Sequence, residues 1–239
     1  MLKNKIRLGF TLAEVLITLG IVGIVAAMTI PSLNSMITKR QVEARAKVAY
    51  STIAQALKLS EDKGNTSMQV QVSTKGQKEW FDKNLAPSLQ VTSLCVQQAG
   101  CWHKSGIVKT LNNQTPTYTT SVGNNEVTIG YVTVTFKTAK GFWGNLDASG
   151  SSSNSNLFGV DAPESSLEFY LDVNGDRGPN VIGKDIYILI YNENLGTVPA
   201  GYSRTKEQVE QNCLTGNGYW CLSKLMRDGW KIDNKVWKR

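Results

Sequence analysis

Histidine is nearly absent from this sequence, which contains one histidine among 239 residues. Because His103 stands alone, a metal site built from several histidines is excluded, and there is little basis for a triad that needs a histidine base. The motifs G-x-S-x-G and H-E-x-x-H are also missing, and no spaced pair of carboxylates stands out. We therefore expect a protein that is not an enzyme, and we expect His103 to be a packing or surface residue.

Charged residues are few as well, at 19% of the chain, and Lys and Arg outnumber Asp and Glu by 26 to 19. Hydrophobic residues make up 41%, which argues against wholesale disorder. The mean hydropathy of −0.22 excludes a protein with many membrane spans. That average conceals one strongly apolar segment near the N-terminus.

The apolar segment covers residues 10–30, and Glu14 is its only charged residue. As a helix, this segment would span about 31 Å, which matches the hydrocarbon core of a bilayer. Lys3, Lys5 and Arg7 precede it. Positive charge at this end predicts that the N-terminus stays in the cytoplasm while the rest of the chain faces outward.

Two ordinary explanations of this segment are weak. A secretory signal peptide has a shorter apolar run and a small-residue cleavage site, which Ala26-Ala27-Met28 does not supply. A plain transmembrane anchor leaves Glu14 unexplained, because a carboxylate within an apolar helix costs several kcal/mol and usually marks a partner or a function.

The residues around Glu14 supply a third explanation. Gly9-Phe10-Thr11-Leu12-Ala13-Glu14, between a short basic leader and an apolar helix, resembles the N-terminal signal of type IV pilins and type II secretion pseudopilins. The resemblance implies that a prepilin peptidase cleaves after Gly9 on the cytoplasmic side, and that the new N-terminus, Phe10, is N-methylated. It also implies that the apolar segment is kept and becomes the first half of a long helix.

The same resemblance assigns assembly roles to Phe10, Glu14 and Pro31. In the filament, Glu14 of an incoming subunit is expected to meet the freed Phe10 amine of a neighbour, since a buried carboxylate is tolerated when it is paired and such a pair can fix register. Pro31 stands where many type IV pilins also carry proline. We expect Pro31 to kink or loosen the helix, because proline removes one backbone hydrogen bond.

Helical periodicity continues beyond Pro31 but becomes amphipathic, with apolar residues three or four positions apart and Glu43 on the polar face. The predicted helix ends near Asp62, where Lys63-Gly64-Asn65 is a C-cap signal. One helix of about 50 residues is therefore expected, apolar all round in its first half and one-sided in its second.

Strand patterns follow at residues 127–137, 166–173 and 185–191. We therefore predict an α+β fold in which the long helix packs on an antiparallel β-sheet. The predicted segments are a cleaved basic leader (1–9), a transmembrane and assembly helix (10–31), its amphipathic continuation (32–62) and an exported globular α+β head (63–239).

The four cysteines form two close pairs in the sequence. Because their count is even and the head is expected to be exported, disulfides are predicted, and proximity favours Cys95–Cys101 and Cys213–Cys221. The alternative is a zinc site of four thiolates, which usually has C-x₂-C pairs, and neither pair here has that spacing. The resemblance adds that a C-terminal disulfide loop is common in type IV pilins.

An acidic, glycine-rich stretch at residues 172–185 is a candidate calcium loop. Its first half alternates Asp and Asn as in D-x-[DN]-x-[DN], which turns oxygen ligands toward one ion. An EF-hand is excluded, because Arg177 stands where glycine is needed and Gly183 where the final glutamate is needed. The stretch resembles a loop in pseudopilin heads, some of which bind calcium there, and the alternative is a tight β-turn between two strands. The predicted ligands are Asp172, Asn174, Asp176 and Asp185.

The predicted function is a structural subunit of a type IV pilus or a type II secretion pseudopilus, and a competence pseudopilus fits equally. The chain would cross the bacterial inner membrane once, with its leader cytoplasmic and its head periplasmic, before it enters a periplasmic pseudopilus or an extracellular pilus. Its expected partners are the prepilin peptidase and, in a helical filament, itself and other pilins or pseudopilins.

The alternative is a minor pilin whose head binds DNA, a surface or another protein. Basic residues near the C-terminus would attract nucleic acid, although a solvated basic tail is the commoner case, so nucleic acid is not the favoured partner. These residues are Lys224, Arg227, Lys231, Lys235, Lys238 and Arg239.

Overall fold

The computed structural model describes most of the chain. The predicted leader, residues 1–9 including Gly9, lies outside the described residues. Where the structure is described, the protein is α+β, with one long N-terminal helix and a β-sheet, as the sequence predicts. The described ranges are 10–65, 74–96, 98, 100–104, 106–116, 119–122, 126–129, 133–147, 154–161 and 166–239.

The long helix, α1 (Leu12–Glu61), has 50 residues and continues through Pro31. The chain divides into two compact units, residues 1–41 and residues 42–239. The first unit contains the apolar part of α1, and the second contains the rest of α1 and the remaining elements. The finer segment boundaries expected at residues 31 and 62 stay predictions.

In the first unit, the large apolar side chains of α1 are exposed, as at Leu16, Leu19, Val22 and Ile24. An 18-residue window of α1 has a mean hydropathy of 2.2. Among the described residues, α1 is the one helix whose length and composition suffice to cross a membrane. This part of α1 is apolar all round, and the rest of the chain does not cover it. Its side chains therefore need a membrane or another protein to bury them.

In the second unit, α1 presents a buried stripe that includes Val42, Ala46, Ala49, Ile53 and Leu57. Their spacing of three or four residues keeps them on one helix face. The described part of the chain adds six short helices: α2 (Thr74–Asn84), α3 (Ala86–Leu89), α4 (Asn154–Phe158), α5 (Lys206–Leu214), α6 (Cys221–Arg227) and α7 (Asn234–Lys238).

Ten strands occur among the described residues, and eight of them form one sheet in the order β1-β5-β6-β7-β9-β8-β2, with β10 also paired to β9. Most pairs are antiparallel, as predicted, but β2 with β8 and β8 with β9 are short parallel pairs, so the sheet is mixed. The strands are β1 (Val91–Val96), β2 (Lys109–Thr110), β3 (Thr119–Val122), β4 (Glu126–Ile129), β5 (Thr133–Thr138), β6 (Trp143–Asp147), β7 (Leu167–Asp172), β8 (Val181–Ile182), β9 (Ile186–Asn192) and β10 (Gly196–Pro199).

The expected strand at residues 127–137 corresponds to two strands. β4 pairs with β3 in a separate two-stranded sheet, whereas β5 joins the large sheet between β1 and β6. Gly130 stands between them in the sequence. Glycine weakens the interior of a strand, which gives a physical reason for the division.

Both faces of the large sheet are covered, so β7 and β9 are buried at every position. On one face, Val134, Phe136 and Phe169 share a core with α1 and with α2. On the other face, Tyr170 and Ile188 belong to a second core that includes Trp102 and Phe158. Side chains alternate between the two faces along each strand, which separates the two cores.

Candidate functional site

The first turn of α1 holds the carboxylate of Glu14. Thr11 lies just before the helix and donates to a Glu14 carboxylate oxygen from its backbone N–H at 2.8 Å and from its hydroxyl at 2.7 Å. In return, the Glu14 N–H donates to the Thr11 hydroxyl at 3.2 Å. This reciprocal pattern is a capping box, which satisfies two N–H groups that a helix start leaves unpaired.

The resemblance also assigns assembly roles to Phe10 and Pro31. Phe10 precedes the cap and is 90% exposed. Pro31 lies inside α1, with its side chain exposed. Phe10 is therefore an open chain position immediately ahead of the capped helix start.

Two disulfides are present, and they join the pairs that proximity favours. Cys95 in β1 is bonded to Cys101, with their Cα atoms 5.3 Å apart. Cys213 in α5 is bonded to Cys221 at the start of α6, with their Cα atoms 5.4 Å apart. All four thiols are used in these bonds, so the structure does not contain the alternative site of four zinc-binding thiolates.

Asp172, the last residue of β7, closes the start of the acidic loop. Its Oδ1 accepts from the backbone N–H of Asn174 at 3.0 Å and of Gly175 at 2.8 Å. Its Oδ2 lies 2.6 Å from His103 Nε2. Burial raises the pKa of Asp172, and the contact with His103 opposes that rise.

Asp185 closes the other end of the same loop. Its two carboxylate oxygens accept from the backbone N–H groups of Asn180 at 2.8 Å and Val181 at 2.7 Å. Burial, followed by the nearby Asp172 carboxylate, raises the pKa of Asp185 to about 7. Both acidic groups thus hold backbone donors of the loop, which fits the turn interpretation of this stretch.

The four expected calcium ligands are only partly brought together. Asp172, Asn174 and Asp185 are buried in the loop, whereas Asp176 is exposed. Asn174 Nδ2 donates to the Gly178 carbonyl at 3.1 Å, so this amide also braces the loop. In the part of the chain that the structure describes, no group of three or more His, Cys, Asp or Glu side chains is arranged to hold a metal ion.

His103 is a buried residue with a definite partner, and no local pattern in the sequence indicates that partner. Its ring stacks on Trp143, with centroids 5.1 Å apart and planes 19° apart, and it meets Trp102 edge-on. Asp172 is 69 positions away in the sequence. The contact connects the chain just after the Cys95–Cys101 disulfide to the acidic loop.

Glu43 was expected on the polar face of the helix, and that expectation is wrong. Its side chain is 6% exposed, and its Oε1 accepts from the backbone N–H of Ile232 at 2.9 Å. The Lys231 ammonium lies 3.5 Å from Oε2. The C-terminal segment folds back over this part of α1, so a position that is polar by helical periodicity becomes buried and hydrogen-bonded.

The basic residues near the C-terminus make many contacts within the protein. Lys224 is 8% exposed, and its ammonium lies 2.8 Å from Asp228 and 3.7 Å from Asp233. Arg239 donates to the backbone carbonyls of Cys213 and Gly216 at 2.9 and 3.2 Å. A surface that binds nucleic acid needs Lys and Arg side chains that face the solvent. Lys224 and Arg239 are instead engaged in contacts within the protein.

One apolar helix of membrane-spanning length, joined to a disulfide-bonded α+β unit, fits a protein that is anchored in a membrane by its N-terminus. Residues 4–30 match the family model described as the prokaryotic N-terminal methylation motif, which is the signature of type IV pilins and pseudopilins. No curated protein and no solved structure matches the chain. The motif supports a precursor of the type IV pilin or pseudopilin kind and, with it, assembly with other pilins.

Proposed function

We propose that this protein is a structural subunit of a type IV pilus or type II secretion pseudopilus, polymerised through its N-terminal helix. The observation that carries the proposal is the methylation motif at residues 4–30, which leads directly into a 50-residue helix with exposed apolar side chains. A helix of this kind gains most when it is buried, first in lipid and then among identical helices.

Processing creates the group that makes assembly specific. A prepilin peptidase cleaves after Gly9 in the inner membrane, and Phe10 then carries a free, methylated amine. The positive end of the α1 helix dipole stabilises the Glu14 carboxylate. The freed amine of Phe10, four residues earlier in the sequence, then adds the opposite charge in apolar surroundings. The two groups of neighbouring subunits then satisfy each other in the filament.

The capping box describes the state of Glu14 before assembly. Within one subunit, the carboxylate accepts two hydrogen bonds from Thr11. Those bonds reduce the cost of holding a carboxylate at the end of an apolar helix. In the filament, the charge of Glu14 pairs with the Phe10 amine of a neighbouring subunit. The charge of Glu14 therefore drives assembly, whereas the capping hydrogen bonds stabilise the helix start of the single subunit.

Intact mass is the direct test of processing. The full-length chain, expressed together with a prepilin peptidase, should lose residues 1–9 and gain one methyl group on Phe10. The same chain in a host without that peptidase is the matched control and should keep its leader. A leader retained in the presence of the peptidase would contradict the proposal.

Filament yield separates the two roles of Glu14. Glu14→Gln keeps an acceptor for the cap but removes the charge, whereas Thr11→Ala keeps the charge and removes the hydroxyl of the cap. We expect both variants to be processed, Glu14→Gln to lose most of its filament yield and Thr11→Ala to assemble. Normal assembly of Glu14→Gln would refute the charge pairing.

A further inference from the structure

A groove opens on the surface of the second unit where α1, β10 and α6 meet. Its volume is about 340 Å³. That volume is at the lower end of the range of ligand pockets in proteins, so the groove suits one or two side chains rather than a large cofactor. It is lined by Tyr50 of α1, Val198 and Pro199 of β10, Tyr202, and Met226 and Arg227 of α6.

Two tyrosines give the groove an apolar surface before any ligand binds. The Tyr50 hydroxyl donates to the Thr197 carbonyl at 2.8 Å, and the centroid of its ring lies 5.7 Å from that of Trp230. Tyr202 is 51% exposed and lines the same groove. Because a ring that is already held in place loses little conformational entropy on binding, this surface favours contact with an apolar side chain.

The outer edge of β10 is closed to a pairing strand. The Tyr50 hydroxyl takes the Thr197 carbonyl, and the Tyr202 N–H donates to the Pro199 carbonyl at 3.1 Å. Pro199 itself has no N–H to donate. An extended peptide therefore cannot add to the sheet here, so the groove has to recognise side chains rather than backbone.

Arg227 adds a positive charge to this apolar surface. Its Nη2 donates to three backbone carbonyls, those of Gly201, Tyr202 and Arg204, at 3.5, 3.4 and 3.0 Å. The adjacent Asp228 is paired with Lys224 at 2.8 Å, and no carboxylate lies within 4 Å of the Arg227 guanidinium in the described part of the chain. The guanidinium is therefore held in place while its charge is not neutralised, which suits it to bind a carboxylate.

A second copy of this chain matches the groove poorly. In the second unit, the other described large apolar side chains that are exposed are Val48, Leu59 and Ile107. Each has a lysine within two positions in the sequence. The carboxylates that follow Leu59, those of Glu61 and Asp62, are already paired with Lys58 at 3.4 and 3.2 Å. None of these positions combines an exposed apolar side chain with an unpaired carboxylate.

We propose that the groove binds an acidic segment of a different protein. An apolar or aromatic side chain of that segment packs against Tyr50 and Tyr202, and a neighbouring carboxylate pairs with Arg227. The site goes beyond the proposed assembly function, because it lies in the second unit and does not depend on cleavage of the leader. It gives the subunit a means of binding another protein that is separate from polymerisation.

The test uses the full-length protein in non-ionic detergent and a fluorescein-labelled peptide, Gly-Phe-Asp-Glu-Gly, followed by fluorescence anisotropy with protein-free micelles as the blank. We expect saturable binding that weakens as salt is added, because an exposed ion pair is screened. The peptides Gly-Phe-Asn-Gln-Gly and Gly-Ala-Asp-Glu-Gly should each bind at least about fivefold more weakly. Equal binding of the three peptides, or no saturable binding, would overturn the proposal.

This comparison changes only the peptide, so its outcome does not depend on how a variant folds. Variants then locate the site. Tyr202→Ala and Arg227→Gln should each weaken binding of the acidic peptide at least about fivefold. Ile107→Ala, which truncates a side chain that is 47% exposed outside the groove, is the matched control and should bind as the parent does. Equal weakening by Ile107→Ala and Tyr202→Ala would show that the peptide binds elsewhere, against the proposal.

Arg227 also braces backbone carbonyls, and a double-mutant cycle separates that role from charge recognition. In Arg227→Gln, the Asp-Glu and Asn-Gln peptides should bind equally, because the charge that distinguishes them is gone. A purely structural role would weaken both peptides and keep their ratio, and that result would contradict the proposal.

Photo-crosslinking identifies the occupant. A benzophenone-bearing phenylalanine in place of Tyr202 should crosslink to the acidic peptide and not to the Asn-Gln peptide at the same concentration. A crosslink between two copies of the chain that the acidic peptide does not displace would assign the groove to contacts between subunits and overturn the proposal.

Discussion

Gly144→Ala is expected to destabilise the protein because Gly144 makes room for the ring of Phe136. The two residues are directly paired between β6 and β5. A Cβ atom on residue 144 would lie 2.1 Å from Phe136 Cζ and 2.6 Å from both Cε atoms. The ring would have to retreat by about 1.3 Å to restore an ordinary 3.4 Å contact.

The ring of Phe136 has little freedom to retreat. Phe136 is fully buried, and its centroid lies 4.8 Å from that of Phe81 on α2. Overpacking of a tight core costs about 1–3 kcal/mol, and Gly→Ala regains about 0.4–1 kcal/mol through the unfolded chain. We therefore expect Gly144→Ala to lower the free energy of unfolding by about 1–2 kcal/mol.

A double-mutant cycle in chemical denaturation, followed by tryptophan fluorescence, measures this effect. Phe136→Leu alone should cost about 1 kcal/mol, because a smaller apolar side chain fills the site less well. The double variant should cost less than the sum of the two single costs by about 1 kcal/mol, since the smaller side chain at position 136 leaves space for the methyl group added at position 144. Strictly additive costs, or a neutral Gly144→Ala, would refute the reasoning.

Three further predictions rest on other contacts. Glu43→Ala should lower the free energy of unfolding by about 1–3 kcal/mol, because it leaves the buried N–H of Ile232 without an acceptor. Glu43→Gln keeps an acceptor and should cost less than half as much. Equal costs for the two variants would argue against this hydrogen bond. Asp185 has a pKa raised from 3.8 to about 7 in the folded protein, so its contribution to stability should decline as pH rises from about 4 to about 7. In urea titrations, Asp185→Asn should remove that decline, and an unchanged pH profile would contradict the assignment. Gly218→Ala should destabilise the loop closed by the Cys213–Cys221 disulfide. The added Cβ would lie 2.7 Å from the Ile182 carbonyl oxygen, and the backbone φ of +87° at this position favours glycine. A melting temperature equal to that of the parent would count against this packing.

The N-terminal part of the protein was largely predictable from sequence. An apolar run with one carboxylate, a preceding basic cluster and a Gly-Phe junction are local patterns, and helix formation depends on residues three and four positions apart. The capping box at Thr11 and Glu14 also lies within four residues. The α+β class followed from the same kind of pattern, one long helical periodicity and several alternating stretches.

The interior of the second unit was less predictable, for a physical reason that Glu43 illustrates. Helical periodicity correctly separates apolar from polar positions, but whether a polar position faces water depends on what packs over it. Glu43 is buried by a segment 189 residues away, near Ile232. No local pattern encodes a contact of that sequence separation.

His103 and the facing carboxylates of β6 and β7 follow the same rule. His103 has no motif around it, and its partner Asp172 is identified only once the chain brings the two segments together. Asp147 and Glu168 belong to no motif in the sequence, and only the register of β6 and β7 makes them neighbours. Register is a property of paired strands, and a shift of one residue would move these side chains to the opposite face.

Local sequence patterns therefore specify the apolar segment, the methylation motif and the long helix, because these depend on chemistry within a few turns of one segment. Tertiary structure specifies which carboxylates are buried, which residue pairs with the histidine and which side chains face each other across the sheet. Those outcomes depend on distances between residues far apart in the chain, and such distances are set by strand register and packing rather than by any single stretch.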